Sequence, residues 1–236
     1  MPIFNIFLFI KIPIFHLIED GENSLTVKEL LSNKIFWLMI FLMICDEASE
    51  QSVSQWASTF AEKTLNGNKS LGDLAGPMFF AIMMGISRTV YGKLGEKINL
   101  KLSMIFCSLL CFISYIIISL SPWVLLSLIG CGICGFSVGI LWQGTFSISS
   151  SILKKCGTAL FAFLALAGDV GCSLGPTIVG RLSSIFNDNI KIGILFSSIF
   201  PILLIIGIIL SGINKKLNLI IYKNKGEAFV LLPYFY

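Results

Sequence analysis

Long apolar runs separated by short polar connections set the organisation of this chain. A helix needs about 20 apolar residues to cross a hydrocarbon core about 30 Å thick. Six segments reach that length, and we predict them as transmembrane helices: residues 36–60, 71–92, 100–120, 123–148, 157–186 and 190–212. The short connections between them favour an up-and-down bundle. The pattern therefore predicts an all-α membrane protein with six transmembrane helices.

The two ends of the chain are less regular than this bundle. Residues 1–35 read as an apolar stump followed by a polar loop, assigned to the cytoplasm, and a short amphipathic helix. Thr26 and Glu29 have the spacing of a capping box, which predicts the start of that helix. Residues 213–236 form a tail that is too polar and too short to span again. The predicted organisation is therefore 1–35, a bundle over 36–212, and a cytoplasmic tail over 213–236.

Composition supports the membrane assignment and fixes an orientation. The chain is 56% hydrophobic and 13% charged, whereas a soluble domain carries about 25% charged residues. Lys and Arg in such a chain report topology, so the net charge of +4 is not a nucleic-acid signal. Most basic residues lie on the side that holds both termini. We therefore expect an integral protein of the plasma (inner) membrane with both ends in the cytoplasm.

A polar stripe interrupts the first predicted span, in the stretch "CDEASEQSVSQWASTF". At about 100° per residue, Glu47, Glu50, Gln51 and Gln55 lie on one half of the helix surface, and Asp46 lies at its edge. A carboxylate at the bilayer centre costs about 2.5–3.5 kcal/mol, so the stripe must face protein or water. One reading is a substrate- or proton-binding wall, with Glu47 or Glu50 carrying a proton. In the other reading, Asp46 begins an outward-facing, hydrated end of the helix.

Two further charges lie within predicted spans. Arg88 either faces an acidic partner or an anionic solute, or extends to the membrane interface with the lysines that follow it. Asp169 is either a site residue or a structural acid bonded to neighbouring hydroxyl or backbone groups. Glycines at a spacing of four predict close helix packing, as small-xxx-small pairs do: Gly135 with Gly139, and Gly171 with Gly175.

The loop after the second predicted span carries a recognisable motif. In "GKLGEKINLKL", Gly92, Glu96 and Lys97 fit a pattern of Gly, three residues, an acid and a base, and Lys101 lies in the basic run that follows. Asn99 stands where the pattern has a second Gly. This loop resembles the cytoplasmic loop signature of the major facilitator superfamily. The stretch "GCSLGPTIVG" in the fifth predicted span is similar to a Gly-Pro pattern of the same superfamily.

The resemblance implies half of a major facilitator fold, namely the C-terminal six helices. That family has two six-helix halves with the substrate site between them. The resemblance therefore implies that the first span lines a cavity, that Trp142 and Gln143 face it, and that the neighbour of Arg88 lies in the missing half. The chain would be a fragment of a longer protein, which we favour, or would pair with an N-terminal half or a second copy of itself. The first span looks most like the sugar-permease type.

Together these features predict a secondary transporter for a small solute, working by alternating access. The alternative is a non-transporting six-span scaffold or regulatory subunit. An intramembrane enzyme would need a nucleophile–base pair or a metal cluster within the spans, and the sequence offers neither, so we expect no catalytic residues, no metal and no cofactor. The predicted partners are the lipid bilayer, a small-molecule solute and the missing half or second copy, with no nucleic acid.

Overall fold

The computed structural model of the chain describes residues 26–64, 74–95, 98–153 and 157–224. Within these ranges the secondary structure is helical, with short connections between helices and without a strand in the described part. The helices are α1 (Val27–Ser32), α2 (Lys34–Ser54), α3 (Ala57–Thr64), a π-helical turn (Leu74–Met78), α4 (Phe79–Leu94), α5 (Leu100–Leu120), α6 (Val124–Val138), α7 (Leu141–Ile152), α8 (Gly157–Ile185), α9 (Ile190–Ser197) and α10 (Ile199–Asn224).

Four of the predicted spans are confirmed as helical stretches long and apolar enough to cross a membrane. They correspond to α5, to α6 with α7, to α8, and to α9 with the first part of α10. Their bounds are Leu100–Leu120, Leu125–Ile152, Gly157–Ile185 and Ile190–Ser211. The chain is therefore an all-helical integral membrane protein.

The first two predicted spans are helical, but their described residues do not meet the same criterion of length and apolar composition. The helix α2 holds three carboxylates within its 21 residues, and it continues through a turn at Gln55 and Trp56 into α3. The second span is a π-helical turn that contains Pro77, followed by the 16-residue α4, and residues 71–73 lie outside the described part. The total of six spans remains a prediction.

The capping box predicted before the bundle is confirmed. The backbone N–H of Thr26 donates to Glu29 Oε2 over 2.8 Å, and the N–H of Glu29 donates to Thr26 Oγ1 over 3.4 Å. These bonds end the loop and start α1, as the spacing predicted. Residues 1–25, which hold the predicted apolar stump and most of the polar loop after it, lie outside the described residues. At the other end, α10 continues into the predicted tail as far as Asn224.

Two of the predicted spans contain an interruption of the helix. The sixth breaks at Ser198, between α9 and α10. Pro201 explains this break, because proline has no N–H to donate to the carbonyl four residues earlier, at Ser197. The fourth breaks at Gly139 and Ile140, between α6 and α7. Both residues at this second break keep right-handed helical backbone angles.

The helix α2 lies at the centre of the bundle. It packs against α8 and α10 along much of its length and against α6 and α7 elsewhere. The buried phenol of Tyr115 on α5 donates to the carbonyl of Ser49 on α2 over 2.6 Å. The predicted Gly135–Gly139 pair is confirmed as a close contact, because a Cβ at Gly135 would clash with the carbonyl oxygen of Phe80 on α4.

Candidate functional site

The polar stripe of α2 passes from the core of the bundle to its surface. Asp46 is 2% exposed, Glu47, Glu50 and Gln51 are half-buried, and Gln55 is exposed. This increase in exposure follows the angular order of the five residues around the helix, because each lies farther from Asp46 in angle than the one before it in that order. The reading in which Asp46 begins a hydrated end is wrong, since its carboxyl lies inside the bundle.

Glycines on α8 bring the backbone of that helix against α2. A Cβ at Gly171 would lie 2.5 Å from the carbonyl oxygen of Ile44 and 2.9 Å from Glu47 Cβ. A Cβ at Gly175 would lie 2.5 Å from the carbonyl oxygen of Ala48. Real Cβ atoms do not approach so closely, so the predicted Gly171–Gly175 pair is confirmed as a close contact. This contact fixes the position of Glu47 relative to the residues of α8.

Arg88 on α4 forms an ion pair with Glu50 on α2. Arg88 Nη2 lies 3.8 Å from Glu50 Oε2, and the two side chains are 43% and 13% exposed. The neighbour of Arg88 is therefore in this chain, and the expectation that it lies in a missing half is wrong. The guanidinium points towards the carboxylates of α2, which agrees with the reading of an intramembrane cation facing an acid.

Two groups on α8 complete the surroundings of Glu47. The thiol of Cys172 donates to Glu47 Oε2 over 3.2 Å. Asp169, one turn before Cys172, is exposed and lies within electrostatic range of Glu47, as does Arg88. The structure thus gathers Glu47, Glu50, Arg88 and Asp169 from three helices into one group, which we call the acidic cleft.

Two amide side chains extend the acidic cleft along α2. Gln51 Nε2 lies 3.5 Å from Glu50 Oε1, and Gln55 Nε2 donates to Gln51 Oε1 over 3.3 Å. Amides both donate and accept hydrogen bonds. Carboxylates, a guanidinium and amides together offer every type of hydrogen bond that a small polar solute can use.

Trp142 and Gln143 lie on α7, and none of their described contacts reaches the acidic cleft. Trp142 is 38% exposed and packs on Phe146, with ring centroids 4.5 Å apart. Phe146 stacks in turn on Phe161 of α8, with centroids 5.7 Å apart. The Gln143 Oε1 atom is buried and has no hydrogen-bond partner among the described residues. Trp142 is therefore joined to α8 through an aromatic row, and Gln143, with its buried Oε1 atom, follows it in the sequence of α7.

Two polar residues near the stripe were missed by reasoning from the sequence. Cys172 lies three residues after Asp169, a spacing that places both on one face of a helix, so the pattern could have indicated it. Thr145 donates a hydrogen bond to Asp46 from 99 positions away along the chain. No sequence pattern encodes that pairing, because it depends on how α7 packs on α2.

The loop motif is only partly described. Gly92 is exposed near the end of α4, and Lys101 lies in the first turn of α5. Glu96 and Lys97 lie outside the described residues. Asn99, which replaces the second Gly of the pattern, is the N-cap of α5, and its side chain accepts from the N–H of Leu102 over 3.2 Å. The departure from the pattern therefore has a local role in starting a helix.

No group of three or more His, Cys, Asp or Glu residues in the described part of the chain is arranged to hold a metal ion. Five of the described cysteines are buried within the bundle: Cys45, Cys107, Cys111, Cys131 and Cys134. Cys172 is the half-buried exception among the described thiols. The chemistry of the acidic cleft therefore rests on carboxylates, a guanidinium, amides and one thiol.

Comparison with known proteins identifies the family of the chain. No curated protein matches the chain. The model of the family described as Major Facilitator Superfamily matches residues 7–176, which is more than half of the chain. The matched region includes the residues of the acidic cleft, together with the loop after α4. This chain therefore belongs to the major facilitator superfamily of membrane transporters.

Proposed function

We propose that this chain forms one six-helix half of a secondary transporter and binds a small polar solute in the acidic cleft. The observation that carries the proposal is the ion pair between Glu50 and Arg88, with Glu47 and Asp169 within electrostatic range. Charges within transmembrane helices are rare, and they mark solute and ion pathways. Here three separate helices supply them to one place.

The free energy of placing charges in a membrane supports a water-filled cleft. A single carboxylate at the bilayer centre costs about 2.5–3.5 kcal/mol, so lipid cannot cover several of them. Asp169 and Gln55 are nevertheless exposed on the surface of this bundle, as is much of Arg88. A second six-helix unit facing them across water would satisfy these groups.

That second unit is an N-terminal half or another copy of this chain, as in the two-half architecture of the superfamily. Alternating access then moves one half against the other around the cleft. Both termini lie in the cytoplasm in this proposal, and the membrane is the plasma (inner) membrane. The amides of Gln51 and Gln55 beside the carboxylates suit a polyhydroxylated solute such as a sugar, since hydroxyl groups both donate and accept.

Solute binding can be tested through thermal stability in detergent. A ligand that binds only the folded state raises the unfolding temperature by mass action. We would screen neutral hexoses, amino acids and organic cations against the wild-type chain and Glu50→Gln, with Glu29→Gln as a control that removes a carboxylate outside the bundle. One class should stabilise the wild type and Glu29→Gln and lose its effect in Glu50→Gln.

An equal shift of the unfolding temperature in Glu50→Gln would show that the solute does not bind in the acidic cleft. The absence of a shift with every class of compound would count against a solute-binding half.

Uptake into proteoliposomes tests whether a second unit is needed. We expect the monomeric chain to be inactive, with activity appearing on self-association or on addition of an N-terminal half. Uptake by monomers alone would refute the need for a second unit.

A further inference from the structure

Four large apolar side chains are exposed around the corner where α1 meets α2. Val27 and Leu31 lie one turn apart on α1, and Trp37 and Phe41 lie one turn apart on α2. The indole N–H of Trp37 donates to the carbonyl of Leu31 over 2.9 Å, and this bond joins the two pairs. We call these four residues the corner patch. The acidic cleft does not include them.

The corner is fixed by the residues between and beneath the two helices. Asn33 lies between α1 and α2 with extended backbone angles, so α2 does not continue the axis of α1. Its side chain accepts from the N–H of Ile35 over 2.9 Å, and its own N–H donates to the carbonyl of Leu30 over 3.1 Å. Leu30 is 1% exposed and belongs to the core of the bundle. The corner patch is therefore ordered before any partner binds to it, which lowers the entropic cost of binding.

Two exposed lysines border the corner patch. At about 100° per residue, Lys28 lies about 80° around α1 from the midpoint of its apolar pair, whereas Glu29 lies about 180° from that midpoint. On α2, Lys34 precedes Trp37 by three residues and Phe41 by seven, which places these three side chains on one face of the helix. The corner patch therefore has a cation at its edge on each helix, and the acid of α1 is turned away from it.

The order of side chains along α2 matches the layers of a membrane surface. Trp37 lies about 4.5 Å beyond Lys34 along the helix axis, and Phe41 lies about 10.5 Å beyond it. Lysine side chains extend to the headgroups, tryptophan is enriched at the membrane interface, and phenylalanine suits the hydrocarbon core. Protein–protein interfaces are instead depleted of lysine. The order of cation, indole and apolar ring therefore favours lipid over protein as the partner of this surface.

We propose that the corner patch docks α1 on the membrane surface and that Lys28 and Lys34 bind the phosphates of anionic phospholipids there. The apolar side chains enter the interface, and the lysines lie at the level of the headgroups. The inference concerns lipid and does not depend on solute transport. It can therefore fail while the proposed function stands, and the proposed function can fail while it stands.

Thermal unfolding of the full chain in mixed micelles tests the role of the lysines. The unfolding temperature of the wild type should rise as phosphatidylglycerol is added, and it should rise less with phosphatidylcholine, which carries no net charge. Lys28→Gln and Lys34→Gln should each raise the fraction of phosphatidylglycerol needed for half of that rise by about fivefold. Lys93→Gln, which removes an exposed lysine at the end of α4, is the matched control and should respond like the wild type.

Equal midpoints in the wild type and both corner variants, or the same change in the Lys93→Gln control, would overturn the assignment of the lysines. Soluble glycerol phosphate provides a second control. It carries the phosphate without acyl chains, so we expect it to leave the unfolding temperature unchanged. A rise with glycerol phosphate equal to the rise with phosphatidylglycerol would identify a site for free phosphate and contradict docking on a membrane.

Fluorescence quenching by brominated phospholipids in bilayers tests the depth of Trp37. The difference in emission between the wild type and Trp37→Phe isolates this indole from the other tryptophans of the chain. Bromine atoms near the headgroup end of the acyl chains should quench it more strongly than bromine atoms near the chain ends. An unquenched Trp37 would show that water or protein covers the corner patch, and it would overturn the proposal.

Discussion

The close contact between α8 and α2 gives the sharpest prediction, through the substitution Gly171→Ala. The added Cβ would lie 2.5 Å from the carbonyl oxygen of Ile44, 2.9 Å from Glu47 Cβ and 3.1 Å from the backbone nitrogen of Ala48. Ordinary contact begins at 3.4 Å, so the nearest pair must separate by about 0.9 Å. Two of the three contacts are with backbone atoms, which cannot rotate aside.

The loss of stability can be estimated from the packing contacts that this displacement weakens. A radial gap of about 0.5–1 Å forfeits between a quarter and a half of the attraction of each affected atom pair. Overpacking a well-packed interface typically costs about 1–3 kcal/mol. For a chain of this size, that predicts a fall in unfolding temperature of about 2–12 °C. Because Glu47 is also displaced, its bond from Cys172 should weaken.

Gly85→Ala is the matched control, because a Cβ at Gly85 on α4 would meet nothing within 4 Å. Alanine is also the better helix former, by up to about 1 kcal/mol, so the control should be neutral or slightly stabilising. Thermal unfolding of both variants in the same detergent, followed by circular dichroism, provides the comparison. If Gly171→Ala unfolds at the same temperature as Gly85→Ala, the close packing of α8 on α2 is wrong.

Three further predictions concern single contacts. A double-mutant cycle of Arg88→Gln and Glu50→Gln should give a coupling free energy of about 0.2–1 kcal/mol, because the arginine side chain is 43% exposed and water screens the pair. Zero coupling in low salt would refute the ion pair. Trp56→Phe should lower the free energy of unfolding by about 1 kcal/mol, because it removes the hydrogen bond from the indole N–H to the Pro176 carbonyl. An unchanged free energy of unfolding in denaturant titrations would contradict that bond. Hydrogen bonds at the start of α1 lower the pKa of Glu29 below its ordinary value of 4.5. The cap should therefore stabilise the helix at pH values above 4.5, and this stabilisation should be lost as the pH falls through the lowered pKa. A midpoint of 4.5 or above for Glu29 in an NMR titration would contradict the capping box.

The sequence alone determined the class of the molecule, for simple physical reasons. Apolar runs of about 20 residues with few charges have no stable alternative to membrane-spanning helices. The capping box at Thr26 and the glycine pairs were also readable, because each depends on residues close together in the chain. The stripe of α2 could be placed on one face from helical periodicity alone.

The tertiary structure decided what each polar group meets. The stripe on a helical wheel does not show which edge faces the core, so the burial of Asp46 against Thr145 could not be read from it. The pairing of Arg88 with Glu50 likewise depends on where the packing of the bundle puts α4 relative to α2. Interruptions at Ser198 and at Gly139 were not expected from the apolar runs, because hydropathy records composition and not backbone hydrogen bonding. Periodicity orders residues around a single helix, whereas contacts between helices depend on packing, and that packing decides which acid is paired and which is buried.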